Sequence, residues 1–409
     1  MFLVRLSWRN LWRNRRRTLL TMSAMGFSTA LVVLTLSIYD GMFQDMIESA
    51  TLYQGQVKVQ AKGYYENPRI DLTIPEEHIR EILLADAEVR GVAGRVRTFA
   101  LLSVGEGDSS STQPAEILGI DPEEEKGVSG FARRVVSGRF LDGSGAKNMV
   151  LGRSLAMRLN VKPGGQVVVM GQDAYGSVAA DIFHVVGTID TGDPVRDSSL
   201  ALAGRRTLQS LLVLDGRVHE WAVRFRHPDA ALSFSERIGK RFAGDEVMPW
   251  NRFLPQLNDL LGLTKVTKFI FALIFYFAVI LVTVNTMYMA LIERMREFAV
   301  MNALGLRPIR LSIMVVLEAL FMSSIAAVAG GLAGSLAGWY LQGHPIDLSR
   351  FMESITYAES TIQPRIRAWM TPGVTIVPMC MLVIFGVLVG LFPAMRLRRI
   401  HPVAVLREV

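Results

Sequence analysis

Four stretches of the chain stay apolar for longer than a soluble helix requires. Thr18–Tyr39, Phe269–Ile292 and Gly373–Met395 each run for over 20 residues without a charge, and Leu311–Leu341 carries one, Glu318. A helix needs about 20 apolar residues to cross the hydrocarbon core of a bilayer, so the pattern predicts four transmembrane helices. Between the first and second the period changes. "GQVKVQ", "RVRTFALLSV", "EILGI", "IFHVVGTID" and "HEWAVRFR" read as strands. Pro75–Ala85 and Asp229–Phe242 read as helices, the first opened by Pro75 and Glu76. "GEGDSSSTQPAE" reads as a polar loop, and "GQDAYGSVAAD" as a hairpin-like connection. "NMVLGRSLAMRLNVKPGGQVVVM" reads as strand, short helix, turn, strand. The first apolar helix is expected to continue through Asp40–Ala50, and helix to resume over Leu257–Lys268 before the second span. The fold class predicted is therefore an α-helical membrane protein with four transmembrane helices and a large α+β domain between the first and second.

The polar connections carry their own pattern. In residues 1–17, Val4, Trp8, Leu11 and Trp12 fall on one helical face and Arg5, Arg9, Arg13 and Arg16 on another, as suits a helix lying at a membrane surface. The turn between the second and third spans, "REFAVMNALGLRP", reads as a short helix with apolar Phe298, Met301 and Leu304. Gly305 is placed to stop it and Pro308 to prevent its restarting. In the third span Ala326, Gly330, Gly334 and Gly338 recur every fourth residue, a spacing that lets helix backbones approach closely.

Charge orients this layout. The sequence pI is about 9.6, which by itself would suggest nucleic acid. Yet residues 1–17, 293–310 and 396–409 hold fourteen arginines against three glutamates, a net +11, whereas the whole chain carries +7, so the remainder is at −4. The basic excess lies on one side of the four spans, as the positive-inside rule expects. Both termini and the 293–310 turn are read as cytoplasmic, and no nucleic-acid partner is expected. The expected layout is an interfacial helix 1–17, spans 18–41, 266–292, 309–341 and 372–395, an outer domain 42–265, a turn helix 293–308, an outer loop 342–371 and a tail 396–409. The first apolar run is too long for a secretory signal, so it is read as a retained helix. The single cysteine, Cys380, lies within the fourth span, so the outer domain must rely on its core rather than on disulfides.

No phosphate-binding GxxxxGK[ST], HExxH, CxxC or GxSxG motif occurs, and the six histidines have no ligand spacing. The chain is expected to be non-catalytic, with no metal site and no directly bound cofactor.

Three segments carry a family resemblance. "LSWRNLWRNRRRTLLT", "ERMREFAVMNALGLRP" and "LFPAMRLRRIHPVAVLR" resemble the N-terminal helix, inter-span turn and C-terminal end of ABC-transporter permeases related to MacB, to the lipoprotein-releasing subunits LolC and LolE, and to FtsX. The resemblance implies that the turn is a coupling helix gripped by a separate cytoplasmic ATPase, which binds ATP and Mg. Arg296, Glu297, Phe298, Met301, Leu304 and Gly305 would form that contact, with the apolar residues as knobs and the charges at the rim. It also implies two ATPase copies, a second permease chain (the same chain or a LolC/LolE-like partner), and work in the periplasm by mechanotransmission.

"YQGQVKVQAKGYYENP" and "GTIDTGDPVRDSSLALAGRRTLQSLL" look most like the lipoprotein-releasing members. That likeness implies extraction of lipoproteins from the inner membrane. An acyl-chain cavity would be lined by Met42, Phe43, Met46, Leu263, Phe269 and Phe271, and membrane lipid would be a partner. A periplasmic lipoprotein carrier is a further possible partner, although the matching connection, Gly171–Asp181, is short for a protruding hook. MacB-like export and FtsX-like signalling to a periplasmic hydrolase stay open as alternatives. Glu318, alone in its span, is expected to pair with a basic residue such as Arg294 or Arg310.

Overall fold

The computed structural model describes residues 2–13, 15–105, 110–242, 244–304, 306–348, 351, 355–357, 360–362 and 365–397. Gly305 and most of the 396–409 tail lie outside these described residues. The chain divides into two compact units, Met1–Gln44 with Leu261–Phe351 and Arg365–Val409, and Asp45–Leu260 with Met352–Pro364.

The first unit is helical. Among the described residues, four helices are long and apolar enough to cross a membrane: Thr18–Ala50, Pro255–Asn285, Pro308–Gly343 and Pro372–Phe392. The first lies within one continuous helix, Arg15–Ala50, and the second within Pro255–Glu293. A helix of 36 residues is about 54 Å long at ~1.5 Å per residue, well beyond a hydrocarbon core of ~30 Å. Both helices thus run past their apolar stretches, as the periodicity over Asp40–Ala50 and Leu257–Lys268 predicts.

The third span is the packed centre. A Cβ on Gly330 would lie 2.2 Å from the Gly26 carbonyl oxygen, and one on Gly334 would lie 2.7 Å from that of Ala30. The small-residue stripe therefore seats the backbone of the first span directly on the third. Met25, Val279, Ala326, Ala327 and Leu382 form a buried cluster joining all four spans. The first and second spans also meet through the Asp40–Lys268 ion pair and the Tyr39 and Phe271 rings, 5.9 Å apart. The second span is the least covered, with Phe269, Leu273, Ile274 and Phe277 all exposed.

The second unit is an α+β domain. Within Asp45–Leu260 its strands are β1 Val57–Ala61, β2 Ile74–Pro75, β3 Val89–Val104, β4 Ser111–Ile120, β5 Val135–Gly138, β6 Asn148–Gly152, β7 Gln166–Gln172, β8 Val178–Ile189, β9 Leu200–Gly204, β10 Arg217–Val218, β11 Glu220–Phe225 and β12 Asp245–Pro249. Ten of them form one mixed sheet in the order β12-β1-β11-β3-β4-β9-β6-β8-β5, with β7 pairing β3 and β8. Pairing is antiparallel except for β4 with β9 and β6 with β8. One core cluster joins Leu118, Ile120, Phe131, Val150, Ile189, Leu200 and Leu202, with Tyr53 stacked on Phe131.

Two local expectations are corrected. Pro75 does not open a helix, because Ile74–Pro75 pairs with Arg217–Val218; the helix is only Ile79–Leu84, entered through His78 at φ 60°. The polar loop is shorter than read, because its second half, from Ser111, is drawn into β4 by the long antiparallel ladder with β3. A serine and threonine run is weak evidence of loop when a long neighbouring strand offers its backbone partners; here Val104 pairs with Ser111 and Ser103 with Thr112.

Candidate functional site

The turn between the second and third spans is helical over Met295–Ala303. Glu297 in its first turn complements the positive end of the helix dipole. At its other end the Leu306 N–H donates to the Met301 carbonyl, 3.0 Å away and five residues back, a bond of the kind that closes helix ends. Arg307 then turns extended and Pro308 starts the third span at a position where its missing N–H costs nothing.

This short helix has two faces. Phe298, 2% exposed, and Ala299 point inward; Phe298 packs with Leu311, Met314, Val315 and Ala394, flanked by Met295 and Met301. Arg296, Val300 and Leu304 point outward at i, i+4 and i+8, with Val300 45% and Leu304 82% exposed. The expectation that Phe298 is an outward knob is therefore corrected. The third span begins only a few residues after the turn and lays an apolar face against it, and the largest ring on the turn fills that contact. Met301 is half-buried at its edge. Val300, which the sequence reading passed over, takes an outward place beside Leu304.

A polar clamp fixes the inward face. Arg294 Nη1 donates to Glu318 Oε2 at 2.7 Å, its Nε lies 3.4 Å from Glu297 Oε2, and its guanidinium lies 5.1 Å from the centre of the Phe298 ring. Asn10 Nδ2 donates to the other Glu318 oxygen at 3.0 Å, and Arg13 pairs with Glu297. Glu318 therefore finds Arg294, one of its two expected partners, and gains Asn10. Ser7 Oγ donates to the Met314 carbonyl at 3.2 Å, and Leu11 is buried with Met22, Ala319 and Met322. The N-terminal helix thus seats Ser7, Asn10 and Leu11 on the third span while Trp8 and Trp12 stay exposed. At the other flank Ser312 Oγ donates to the Ala394 carbonyl at 2.6 Å, tying in the fourth span.

The residues expected to line an acyl-chain cavity do not share one environment. Met42, Leu263, Phe269 and Phe271 are exposed and Phe43 is half-buried. Met46 is 7% exposed, so its side chain is already packed within its own chain and offers no open surface. The connection Gly171–Asp181 is a tight hairpin between β7 and β8. Asp173 N–H donates to the Ser177 carbonyl, and Asp173 Oδ1 accepts from the N–H groups of Tyr175 and Ser177. Tyr175 and Val178 stand almost fully exposed at its tip. Among the described residues, no group of three His, Cys, Asp or Glu is placed to hold a metal ion.

This arrangement has known counterparts. Residues 18–241, more than half of the chain, match the family described as the MacB-like periplasmic core domain. Residues 269–402 match the FtsX-like permease C-terminal family. The chain belongs to the MacB/FtsX-like ABC permeases. Members of this permease family are generally non-catalytic subunits. Among curated relatives, the chain is 24% identical over 403 residues to the lipoprotein-releasing system transmembrane protein LolC of Xylella fastidiosa, covering 94% of this chain and 92% of that one. It is 24% identical over 334 residues to LolC of Neisseria meningitidis serogroup B, covering 79% and 77%. Among solved structures it is similar to the periplasmic region of MacB from Actinobacillus actinomycetemcomitans, at 15% identity and a TM-score of 0.38, covering 52% of this chain and 95% of that one.

Within this family member, Val300 and Asn10 are the functional candidates that the sequence reading missed. Val300 follows from the four-residue spacing to Arg296 and Leu304 once the buried side of the turn is known. Asn10 carries no local signal, because its partner Glu318 is 308 residues away.

Proposed function

We propose that this chain is the membrane subunit of an ABC transporter that extracts lipoproteins from the inner membrane by mechanotransmission. A separate cytoplasmic ATPase, in two copies, binds ATP and Mg and grips the outward face of the turn helix, Arg296, Val300 and Leu304. Two permease chains work together, either two copies of this chain or this chain with a LolC/LolE-like partner. The arginine-rich ends and turn face the cytoplasm.

The observation that carries this reading is the division of labour within Met295–Ala303. One face is exposed and apolar with a charge at its rim, the composition of a contact surface. The other is anchored by the buried Phe298 and by the Arg294–Glu318 pair, so a push on the outer face passes to the third span rather than bending a loop. The lipoprotein cargo is supported by the near full-length similarity to LolC proteins.

The experiment is reconstitution of the chain with its ATPase and a lipoprotein in proteoliposomes. Val300→Asp with Leu304→Asp should abolish ATP-driven release, since a carboxylate forced into a dry contact costs several kcal/mol. Wild-type release by that variant would overturn the gripping face. ATPase stimulation by the unaltered chain without any lipoprotein release would leave the gripping face standing and overturn the cargo.

A further inference from the structure

The register of the α+β sheet gathers charge on one face of its centre. Glu220 on β11 lies opposite Gln60 on β1 and Arg95 on β3, which puts Lys58, Glu220, Arg95 and Arg97 on the same side of neighbouring strands. Arg95 is bound through both Nε and Nη2 by Glu125, at 2.6 and 3.0 Å, from the helix Pro122–Val128 below. Arg97 lies 3.0 Å from Glu116 and 3.5 Å from Glu220. These arginines have close carboxylates.

Lys58 is less well served. Its side chain is 7% exposed, and among the described residues it meets one carboxylate oxygen, Glu220 Oε2 at 3.4 Å, and the face of the Phe253 ring at 4.8 Å. An ammonium group carries three donors, and a cation this buried is costly unless its donors are used. Burial pulls the Lys58 pKa down to about 8 against the opposing pull of Glu220, so the carboxylate does not offset the lost hydration.

Lys58 is not sealed in a core. It lines a cavity of about 510 Å³ whose walls include Tyr53, Tyr64, Phe99 and Phe253. Arg196, another lining residue, places a second cation 5.3 Å over the Tyr53 ring. A volume of a few hundred Å³ with aromatic walls and a few fixed polar groups is the usual form of a small-molecule site.

We propose that this cavity binds a small organic anion with a flat apolar body, its acid group taken by Lys58 and its body by the aromatic walls. The anion supplies the acceptors that Glu220 does not, and the rings cover the apolar part without needing further polar partners. This site is independent of the ATPase-gripping face and of the lipoprotein cargo.

The test uses the full chain in lipid nanodiscs and two probes of the same shape, 2-naphthoate and the uncharged 2-acetylnaphthalene, with saturation-transfer NMR and equilibrium dialysis against empty nanodiscs. The wild type should retain 2-naphthoate well above empty nanodiscs and at least tenfold more tightly than the ketone. Lys58→Met should lose that preference while keeping its unfolding midpoint, because Glu220 still has Arg95 and Arg97. Arg196→Gln, at the rim, should weaken 2-naphthoate several-fold and serves as the deciding variant if Lys58→Met fails to fold. Equal retention of the two probes, retention no greater than by empty nanodiscs, or 2-naphthoate binding unchanged in both variants would overturn the proposal.

Discussion

Phe298 and Leu304 sit six residues apart on one short helix and should respond to the same substitution in opposite ways. Phe298→Ala removes a ring that is 2% exposed and packed against Leu311, Met314 and Val315. Truncating a buried phenylalanine costs about 3–5 kcal/mol, and loss of the contact between the Arg294 guanidinium and the ring adds about 0.5–1 kcal/mol. For a unit of this size that corresponds to a fall in unfolding midpoint on the order of 10 °C. Leu304 is 82% exposed, so Leu304→Ala should change stability by no more than about 0.5 kcal/mol. The ATPase contact reverses the ranking. If Leu304 is a gripped knob, its truncation weakens ATPase binding by about tenfold or more, the level of ~1.4 kcal/mol or above expected of an interface anchor. The assay is a thermal melt of each variant in nanodiscs beside titration of the ATPase onto the same preparation. A stable Phe298→Ala, or a Leu304→Ala that melts early yet binds the ATPase normally, would refute the assignment of inner and outer faces.

Three further outcomes are expected. Glu318→Ala takes from the Arg294 guanidinium, only 16% exposed, its shorter carboxylate contact and leaves the 3.4 Å one to Glu297, so it should destabilise the chain by about 1–3 kcal/mol, whereas Arg294→Met with Glu318→Leu should recover most of it; thermal melts compare the two. Gly330→Leu places a side chain against the Gly26 carbonyl, which is backbone and cannot yield, so the folded yield in detergent should collapse, while Gly343→Ala, with open space around it, should be silent. His219 accepts the Arg97 N–H at Nδ1, and its Nε2 lies 3.1 Å from the Ile70 carbonyl, so the folded domain holds it neutral; burial pulls its pKa down to about 4. Between pH 6.5 and 4 the unfolded chain binds a proton there that the folded domain refuses. Stability should therefore fall by about 3 kcal/mol as the pH drops through that window, and His219→Gln should flatten the slope in denaturant melts taken across it.

Much of this protein was legible along the chain because the physics involved is local. Four spans follow from run length alone, since a bilayer imposes the same requirement on every helix that crosses it. The close seating of the third span follows from glycine at every fourth position, which sets backbone distance whatever the partner is. The strands of "GQVKVQ" and "HEWAVRFR" follow from alternation. What stayed hidden depends on residues far apart in sequence. An amphipathic turn has a buried side and an open side, but periodicity does not say which is which; the third span chose, by presenting Leu311, Met314 and Val315 to Phe298. Pro75 looked like a helix start until Arg217–Val218 paired beside it. The Glu318–Arg294 pair was legible because a lone charge in a span demands a partner, but Asn10's place on Glu318 and the Lys58 cavity depend on side chains whose types are unremarkable where they stand. Only folding brings them within bonding distance, because the energy that joins them depends on separation in space, which the order of residues does not record.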